Sequence, residues 1–268
     1  MLPNRFQTSK NRGRLNSLFQ PVRELRACAL TAALMAVPDA PSPASPVCRL
    51  SGQDASGATD SPVVLVHGYG GAKTQWLFVE RALVAAGYHD ITLMEYDACR
   101  TDIPGLARQL CRLVQRVAAE SGSRRVHLVG HSLGGVIIRY AVTVLGLDEL
   151  VGAAVTIASP HGGSPVAHMA TSVTGAQLRP GSALLRQLES VARPGQTRWT
   201  AFAGGCDVVV PPSRARLRPT ALAATNVTVP GEGHLSILLS KRVARAVADA
   251  VRAVDDEPQV ADRYLAAA

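Results

Sequence analysis

The sequence has few aromatic and few charged residues, which make up 4% and 18% of its 268 positions. Its formal net charge is +8, but the first 26 residues hold much of the excess, and no basic run with interleaved aromatics follows. Nucleic-acid binding usually needs such a clustered basic surface, so this class of function is disfavoured. With 47% apolar residues, the chain can form one sizeable core without a second domain.

Several signatures of bound metals and cofactors are also absent from the sequence. There is no CxxC motif or Cys/His spacing of the kind that holds structural zinc. There is no G-x-x-x-x-G-K-[ST] phosphate loop and no carboxylate-rich loop dedicated to calcium. We therefore expect neither a metal nor an organic cofactor.

The apolar run at residues 27–37 is too short to cross a membrane. Arg23 and Arg26 precede it, and a Pro- and Ser-rich stretch follows, with Ser-Pro-Ala at 42–44 as a candidate cleavage site. This order is typical of a signal peptide and predicts a secreted protein. A transit segment, a disordered arm and an ordinary apolar extension also fit these features.

The cysteine content agrees with export without requiring it. Cys28 falls in the candidate signal, and Cys48, Cys99, Cys111 and Cys206 remain, which allows three pairings. Ordinary buried thiols explain the four residues equally well.

Strand and helix patterns alternate after residue 61. We expect strands at 62–67, 91–96, 125–129, 151–158, 199–203 and 226–229. We expect helices at 74–86 (capped by Thr74 and ended by Gly87), 104–119, 133–145 and 235–254. This order predicts an α/β fold with a mainly parallel sheet of about six strands and helices on both faces. The predicted organisation is a signal or targeting segment (1–44), a linker (45–60), the folded domain (61–254) and a flexible tail (255–268).

The strongest motif is GHSLG at residues 130–134, which fits G-x-S-x-G. It lies between an apolar strand and a helix, the setting in which this motif forms a sharp turn that exposes its serine. Side chains at 130 or 134 would collide with the neighbouring strand and helix. Ser132 is therefore the predicted nucleophile, and helix capping is a weaker explanation because capping does not need glycine on both sides.

Two further loops complete a hydrolytic site. The sequence HGYGG at 67–71 predicts an oxyanion hole that uses the backbone N–H groups of Tyr69 and Leu133, with His67 structural beneath the loop. His234 follows the last strand between glycines, whereas His161 and His168 come too early to serve as the base. Asp207 follows the preceding strand and is the predicted acid. Asp148 is expected on the far side, and Glu232 is a weak alternative acid.

Together these motifs resemble small bacterial lipases and esterases with an α/β-hydrolase fold. The matching segments are VLVHGYGG (64–71), HLVGHSLGG (127–135), SPHGG (159–163), Asp-Val-Val (207–209) and GEGHLSILL (231–239). The resemblance implies a Ser132–His234–Asp207 triad, a six-stranded parallel core and little or no lid. One departure is Gly130, where the small Bacillus lipases have alanine.

These observations lead to a secreted hydrolase of acyl esters or acylglycerols as the main hypothesis, with transient contact with a lipid surface. Leu133, Val166, Met169 and Leu178 are candidate acyl-chain contacts, although each could also be a core residue. An acyltransferase or thioesterase would use the same triad. A non-catalytic binding protein on the same scaffold is a third interpretation.

Overall fold

The computed structural model describes residues 61–71 and 73–257, together with the backbone of Val47–Arg49. The predicted signal, most of the linker and the last eleven residues lie outside the described residues, so these assignments stay predictions. Within the described ranges, none of the helices has the length and apolar character needed to span a bilayer.

A seven-stranded sheet forms the centre of the fold. Its strands lie in the order β1-β3-β2-β4-β5-β6-β7. All neighbouring pairs are parallel except β1, which runs antiparallel to β3 at one edge. The prediction of a mainly parallel sheet of about six strands is confirmed. The strands are β1 (Val47–Arg49), β2 (Val63–Val66), β3 (Ile91–Met94), β4 (Val126–His131), β5 (Val151–Ile157), β6 (Arg198–Gly204) and β7 (Thr225–Val229).

Helices cover both faces of the sheet, as predicted. The helices are α1 (Leu77–Ala85), α2 (Ile103–Ser121), α3 (Leu133–Thr143), α4 (Val173–Gln177), α5 (Ala183–Ser190), α6 (Pro219–Leu222) and α7 (Lys241–Asp255). Because side chains alternate along a strand, Val64 and Val66 pack in the core beneath α2, α3 and α5. Val63 and Leu65 pack with α1 and α7 on the opposite face. The continuous apolar strands are therefore buried on both sides, as parallel strands usually are.

Two predicted helix starts were wrong. Thr74 does not cap α1, because a 3-10 turn at Lys73–Trp76 precedes that helix, and Trp76 at the N-cap makes no side-chain capping bond. The last helix begins at Lys241 instead of residue 235, since Ser240 is extended. The intervening 3-10 turn, Ser236–Leu239, serves the preceding loop: the Ser236 hydroxyl accepts a hydrogen bond from the Gly233 N–H at 2.8 Å.

The long connection between β5 and β6 is only partly helical. It contains the 3-10 helix Pro165–Met169 and the short helices α4 and α5. The Ser164 N–H donates to the Leu178 carbonyl at 2.9 Å and closes the first part of this connection into a compact flap. Within the described ranges, the connection forms a small flap and no large helical cap.

Candidate active site

Ser132 lies in a strained turn between β4 and α3, with φ 52° and ψ −120°. A non-glycine residue rarely adopts a positive φ, and such strain is often found at functional sites. A Cβ atom on Gly130 would lie 2.7 Å from the Gly135 nitrogen, and one on Gly134 would overlap the Val66 carbonyl oxygen. Glycine is therefore required on both sides of the serine for the reason the sequence suggested.

The structure brings the three predicted polar side chains together. The His234 Nε2 atom lies 3.1 Å from the Ser132 hydroxyl, and His234 Nδ1 lies 2.8 Å from Asp207 Oδ2. The other carboxylate oxygen of Asp207 accepts from the backbone N–H groups of Val209 and Val210 at 2.8 and 2.7 Å. An ionised carboxylate only accepts, so Nδ1 carries the ring proton and Nε2 presents a lone pair to the serine. Ser132 makes no capping bond to its own helix, because its hydroxyl points to His234.

The loops that carry Asp207 and His234 are joined by backbone hydrogen bonds. The Gly205 N–H donates to the Val229 carbonyl at 2.8 Å, and the Cys206 N–H donates to the Glu232 carbonyl at 2.9 Å. Gly204 fits closely here, since a Cβ atom would lie 2.8 Å from the Glu232 carbonyl oxygen. Asp207, rather than the weak alternative Glu232, contacts the His234 ring.

His131 is a residue of the site to which the sequence gave no role. Its Nε2 atom lies 3.1 Å from the His234 carbonyl oxygen, and the two ring centroids are 5.0 Å apart. A carbonyl only accepts, so Nε2 holds the proton and donates it. Burial, reinforced by the nearby His234, lowers the pKa of His131 to about 3. His131 is therefore neutral at ordinary pH and adds no second positive charge beside His234.

The glycine-rich loop lies directly against the serine. A Cβ atom on Gly68 would be 3.0 Å from the Ser132 Cβ, and the Gly71 N–H closes a turn onto the Gly68 carbonyl at 3.1 Å. Within the part of the chain that the structure describes, neither the Tyr69 nor the Leu133 N–H donates a hydrogen bond. Both donors are therefore available to an oxygen of a bound ester.

His67 packs beneath this loop, as the sequence predicts. Its ring stacks on Tyr96 with centroids 4.1 Å apart, and its Nδ1 atom donates to the Gly68 carbonyl at 2.7 Å. Burial lowers the pKa of His67, which keeps the ring neutral in its stacked position.

The other acidic and histidine candidates lie away from the serine. Asp148 accepts hydrogen bonds from the Gln196 and Thr197 N–H groups at 2.8 and 3.0 Å, so it holds the turn that leads into β6. His161 is buried and contacts the Thr156 hydroxyl at 3.1 Å. His168 lies in the last turn of the 3-10 helix of the flap.

An apolar cavity of about 460 Å³ opens beside Ser132. Of the four predicted acyl-chain contacts, Val166 and Leu178 line it, whereas Leu133 lies in the core and Met169 is 85% exposed outside the lining. The sequence missed other lining residues, because they come from the flap and from loops far apart in the chain. They include Gln75, Ala167, Ala170, Gly175, Val209, Val210 and Leu235.

Large apolar side chains are exposed at or near the residues that line the cavity, and we call them its rim. Tyr69 and Val166 line the opening, and Met169, Val173 and Val208 lie within two residues of lining positions. The Tyr69 hydroxyl also contacts the Cys99 thiol and the Ser172 hydroxyl, both at 3.2 Å, and so connects the glycine-rich loop to the flap. Cys99 and Cys111 carry free thiols, but Cys99 is exposed and Cys111 is half-buried, so neither is the fully buried thiol of the alternative.

Comparisons with known proteins identify the family of this chain. Residues 59–196, more than half of the chain, match the family model described as "Putative serine esterase (DUF676)". A triacylglycerol lipase from Pseudarthrobacter phenanthrenivorans is 33% identical over 127 residues, which cover 45% of this chain and 39% of that lipase. A triacylglycerol lipase from Burkholderia plantarii is also 33% identical, over 45% of this chain and 35% of its own length. The chain thus spans well under half the length of these relatives.

Solved structures share the fold at lower identity. Lipase B of Aspergillus fumigatus superposes with a TM-score of 0.67 at 19% identity, over 77% of this chain and 56% of that one. The mature lipase BlEst2 of Bacillus licheniformis gives a TM-score of 0.58 at 18% identity, over 72% and 91% of the two chains. The fold is therefore that of the α/β-hydrolase lipases, and the chain belongs to the serine esterase family whose model it matches.

Proposed function

We propose that this protein hydrolyses carboxylic esters of lipids through Ser132, His234 and Asp207. The observation that carries the proposal is the continuous hydrogen-bonded chain from the Ser132 hydroxyl through His234 to Asp207, placed at the mouth of an apolar cavity. A nucleophile, a base and an orienting acid within hydrogen-bond reach form the arrangement that acyl transfer requires.

The first half of the reaction transfers the acyl group to the serine. As the Ser132 oxygen attacks the ester carbonyl, His234 Nε2 takes its proton, and Asp207 stabilises the resulting imidazolium. The N–H groups of Tyr69 and Leu133 would donate to the oxyanion of the tetrahedral intermediate. When the intermediate collapses, the ester C–O bond breaks, and His234 returns the proton to the leaving alkoxide, which departs as an alcohol.

The second half regenerates the enzyme. His234 Nε2 removes a proton from a water molecule as the water oxygen attacks the acyl-serine carbonyl. The acyl-oxygen bond to Ser132 then breaks, the carboxylic acid leaves, and the proton on His234 returns to the serine oxygen.

Three observations support an acyl chain as the buried part of the substrate. The cavity beside Ser132 is lined mainly by small and aliphatic residues of the flap and the β6 loop. Its volume lies in the range of small-molecule sites. Its rim exposes Met169, Val173 and Val208 to 85%, 63% and 75%. Such a rim suits transient contact with a lipid surface, and the relatives named triacylglycerol lipase point to the same substrate class.

Hydrolysis of p-nitrophenyl esters from acetate to palmitate tests the proposal, with wild-type protein and the Ser132→Ala variant compared. We expect serine-dependent turnover, with kcat/KM rising from acetate towards longer chains, because each buried methylene contributes about 0.8 kcal/mol until the cavity is filled. Circular dichroism of the variant checks that it is folded. Equal turnover by both proteins, or none by folded wild type on any ester, would contradict the proposal.

The same assay separates hydrolysis from transfer. A competing alcohol is added, and the ester and acid products are quantified. Formation of the free acid as the main product without the alcohol supports hydrolysis, whereas turnover that depends on the added alcohol would instead favour an acyltransferase.

A further inference from the structure

A second cavity, of about 940 Å³, lies beside the apolar one. The loop at residues 160–162 separates them, since Pro160 lines the apolar cavity and His161 and Gly162 line the second. We call this second cavity the arginine cleft. Among the residues that the structure describes, Glu189 is its only acidic lining residue and four arginines line it: Arg186, Arg214, Arg216 and Arg218.

Three of these arginines alternate along the chain with buried apolar residues. Ala215 and Leu217 are buried at 1% exposure each, whereas Arg214, Arg216 and Arg218 are half-buried or exposed, and all three arginines line the cleft. The Asn226 side chain fixes this segment through both of its amide atoms. Its oxygen accepts from the Leu217 N–H at 2.9 Å, and its nitrogen donates to the Leu217 carbonyl at 2.8 Å. The arginines are thus displayed by a held segment.

The segment is also attached to the loop that separates the two cavities. The Gly162 N–H donates to the Arg214 carbonyl at 2.8 Å, and the Arg214 guanidinium donates to the Gly162 carbonyl at 2.7 Å. This pair of hydrogen bonds keeps Arg214 at the wall of the cleft, next to the site of the proposed reaction.

The positive charge of the cleft is poorly balanced. Glu189 accepts a hydrogen bond from the buried Arg139 at 3.1 Å and forms an ion pair with Arg218 at 2.9 Å, so two cations share its single charge. Arg186 donates to the Gly181 carbonyl and Arg214 to the Gly162 carbonyl, and neither partner carries a charge. Within the described residues, the exposed Arg216 makes no side-chain hydrogen bond or ion pair. A concave surface with excess charge of one sign concentrates ions of the opposite sign.

A buried polar group forms part of the cleft lining. His161 is 1% exposed, and its Nδ1 atom has no hydrogen-bond partner among the described residues, while Nε2 contacts the Thr156 hydroxyl. Burial and the positive charge of Arg139 lower the pKa of His161, so the ring is neutral. His161 is thus a buried, neutral and incompletely hydrogen-bonded ring in the wall of the cleft.

We propose that the arginine cleft binds a phosphate group, with Arg214 and Arg216 as its main contacts and Arg186 and Arg218 at its edges. Phosphate matches the cleft better than a carboxylate because its three or four oxygens can engage several guanidinium groups at once. The phosphate could belong to a lipid headgroup or be free in solution. The binding does not depend on ester hydrolysis, so it can be measured in the Ser132→Ala variant.

Two binding measurements on the full chain test the proposal. Isothermal titration with inorganic phosphate, at constant ionic strength and against chloride, measures the free anion. Co-sedimentation with phosphatidylcholine vesicles containing phosphatidic acid measures the headgroup. Vesicles containing oleate at the same surface charge control for general attraction. Binding of phosphate alone assigns the free anion, and phosphate-inhibited binding to phosphatidic acid vesicles assigns the headgroup.

Variants then locate the binding. We expect Arg216→Ala to weaken phosphate binding about tenfold, which corresponds to the loss of one charge-assisted hydrogen bond. Arg216→Ala should leave folding intact because the side chain is exposed. Arg116→Ala removes the same charge from an exposed position on α2 and should bind like wild type. Absence of binding in both measurements, or equal binding by the two variants, would overturn the proposal. Equal binding of oleate and phosphatidic acid vesicles would overturn the assignment to a headgroup, and would overturn the whole proposal if free phosphate does not bind either.

Discussion

Two histidine–aspartate pairs lie at opposite ends of strand β4 and differ in what their histidines face. At the amino end, His127 Nδ1 accepts from the Ala153 N–H at 3.0 Å, and Nε2 donates to Asp255 at 3.0 Å. Both ring nitrogens are therefore occupied by structural bonds. At the carboxyl end, Asp207 occupies only Nδ1 of His234, and Nε2 faces the Ser132 hydroxyl and the apolar cavity.

The comparison shows that a histidine–aspartate pair is not itself evidence of catalysis. Asp255 also accepts from the Tyr88 and Ser61 hydroxyls at 2.7 and 3.1 Å, so this pair links β4 to α7. The His234 pair differs in three ways. The Nε2 lone pair of His234 is not used by a structural bond, it faces the strained Ser132, and it lies beside the apolar cavity. These three features, more than the pair, carry the proposed chemistry.

The largest expected difference between the pairs is in activity. Asp207→Asn should lower kcat by about 10⁴-fold, because an amide nitrogen facing Nδ1 forces the proton onto Nε2 and removes the base. Asp255→Asn should leave kcat within about twofold, since that pair lies at the other end of the strand. Steady-state kinetics on one p-nitrophenyl ester checks both variants, and a comparable loss in Asp255→Asn would break the comparison.

The backbone at the carboxyl end of β4 also leaves less space for an added side chain. Gly134→Ala should cost about 3 kcal/mol or more of unfolding free energy, because the new Cβ would overlap the Val66 carbonyl oxygen. Gly146→Ala is the control: its φ of 77° strains an alanine, but no atom lies within 4 Å of the new Cβ, so about 1 kcal/mol is expected. Urea unfolding measures both, and equal losses would contradict the steric account.

The pair of His127 and Asp255, at the amino end of β4, should affect the stability of the fold and not the activity. Burial raises the pKa of Asp255, but hydrogen bonds from His127, Tyr88 and Ser61 outweigh it and hold the pKa below its usual value. A lowered carboxyl pKa contributes stability above the unfolded value of about 3.9, and that stability is lost as pH falls through the folded pKa. Asp255→Asn should therefore cost about 1–2 kcal/mol at pH 7, with a smaller difference from wild type below about pH 4.

Urea unfolding of wild type and Asp255→Asn from pH 7 to pH 3 measures this prediction. A difference that stays constant over the whole range would show that the carboxylate charge contributes nothing to the link between β4 and α7.

The smallest effect concerns His131, which holds the backbone of His234. His131→Phe removes the hydrogen bond to the His234 carbonyl and should lower kcat about tenfold, whereas His131→Gln keeps an N–H donor and should recover most of it. Because the pKa of His131 is about 3, the ratio between wild type and His131→Phe should not change from pH 6 to pH 9. A ratio that changes over this range, or no recovery with glutamine, would argue against a positioning role.

The features that could be predicted from the sequence depend on residues that are close together in the chain. The alternation of apolar strands and helices predicted the sheet, and the glycines around Ser132 predicted its turn, because both depend on neighbouring residues. Asp207 and His234 were predicted by their order after strands, and the structure places them within hydrogen-bond distance of each other. The start of α7 was missed because the 3-10 turn before it is set by the His234 loop.

Contacts that join distant segments could not be predicted in the same way. The hydrogen bond from His131 to His234 spans 103 residues, and the pair of His127 and Asp255 spans 128. The arginine cleft combines α5, the SPHGG loop and residues 213–218, whose proximity depends on the full topology. The only feature of the nearby sequence that pointed to the cleft was the alternation of arginines with Ala215 and Leu217.

Labelling with a fluorophosphonate tests the central claim most directly, because it reports the reactive serine without assuming a substrate. Peptide mass mapping should find one phosphonyl group on Ser132 in the wild type. The Asp207→Asn and His234→Ala variants should label far more slowly, while Asp255→Asn should label at the wild-type rate. Absence of label on Ser132 in folded protein, or equal rates in His234→Ala and wild type, would contradict the account.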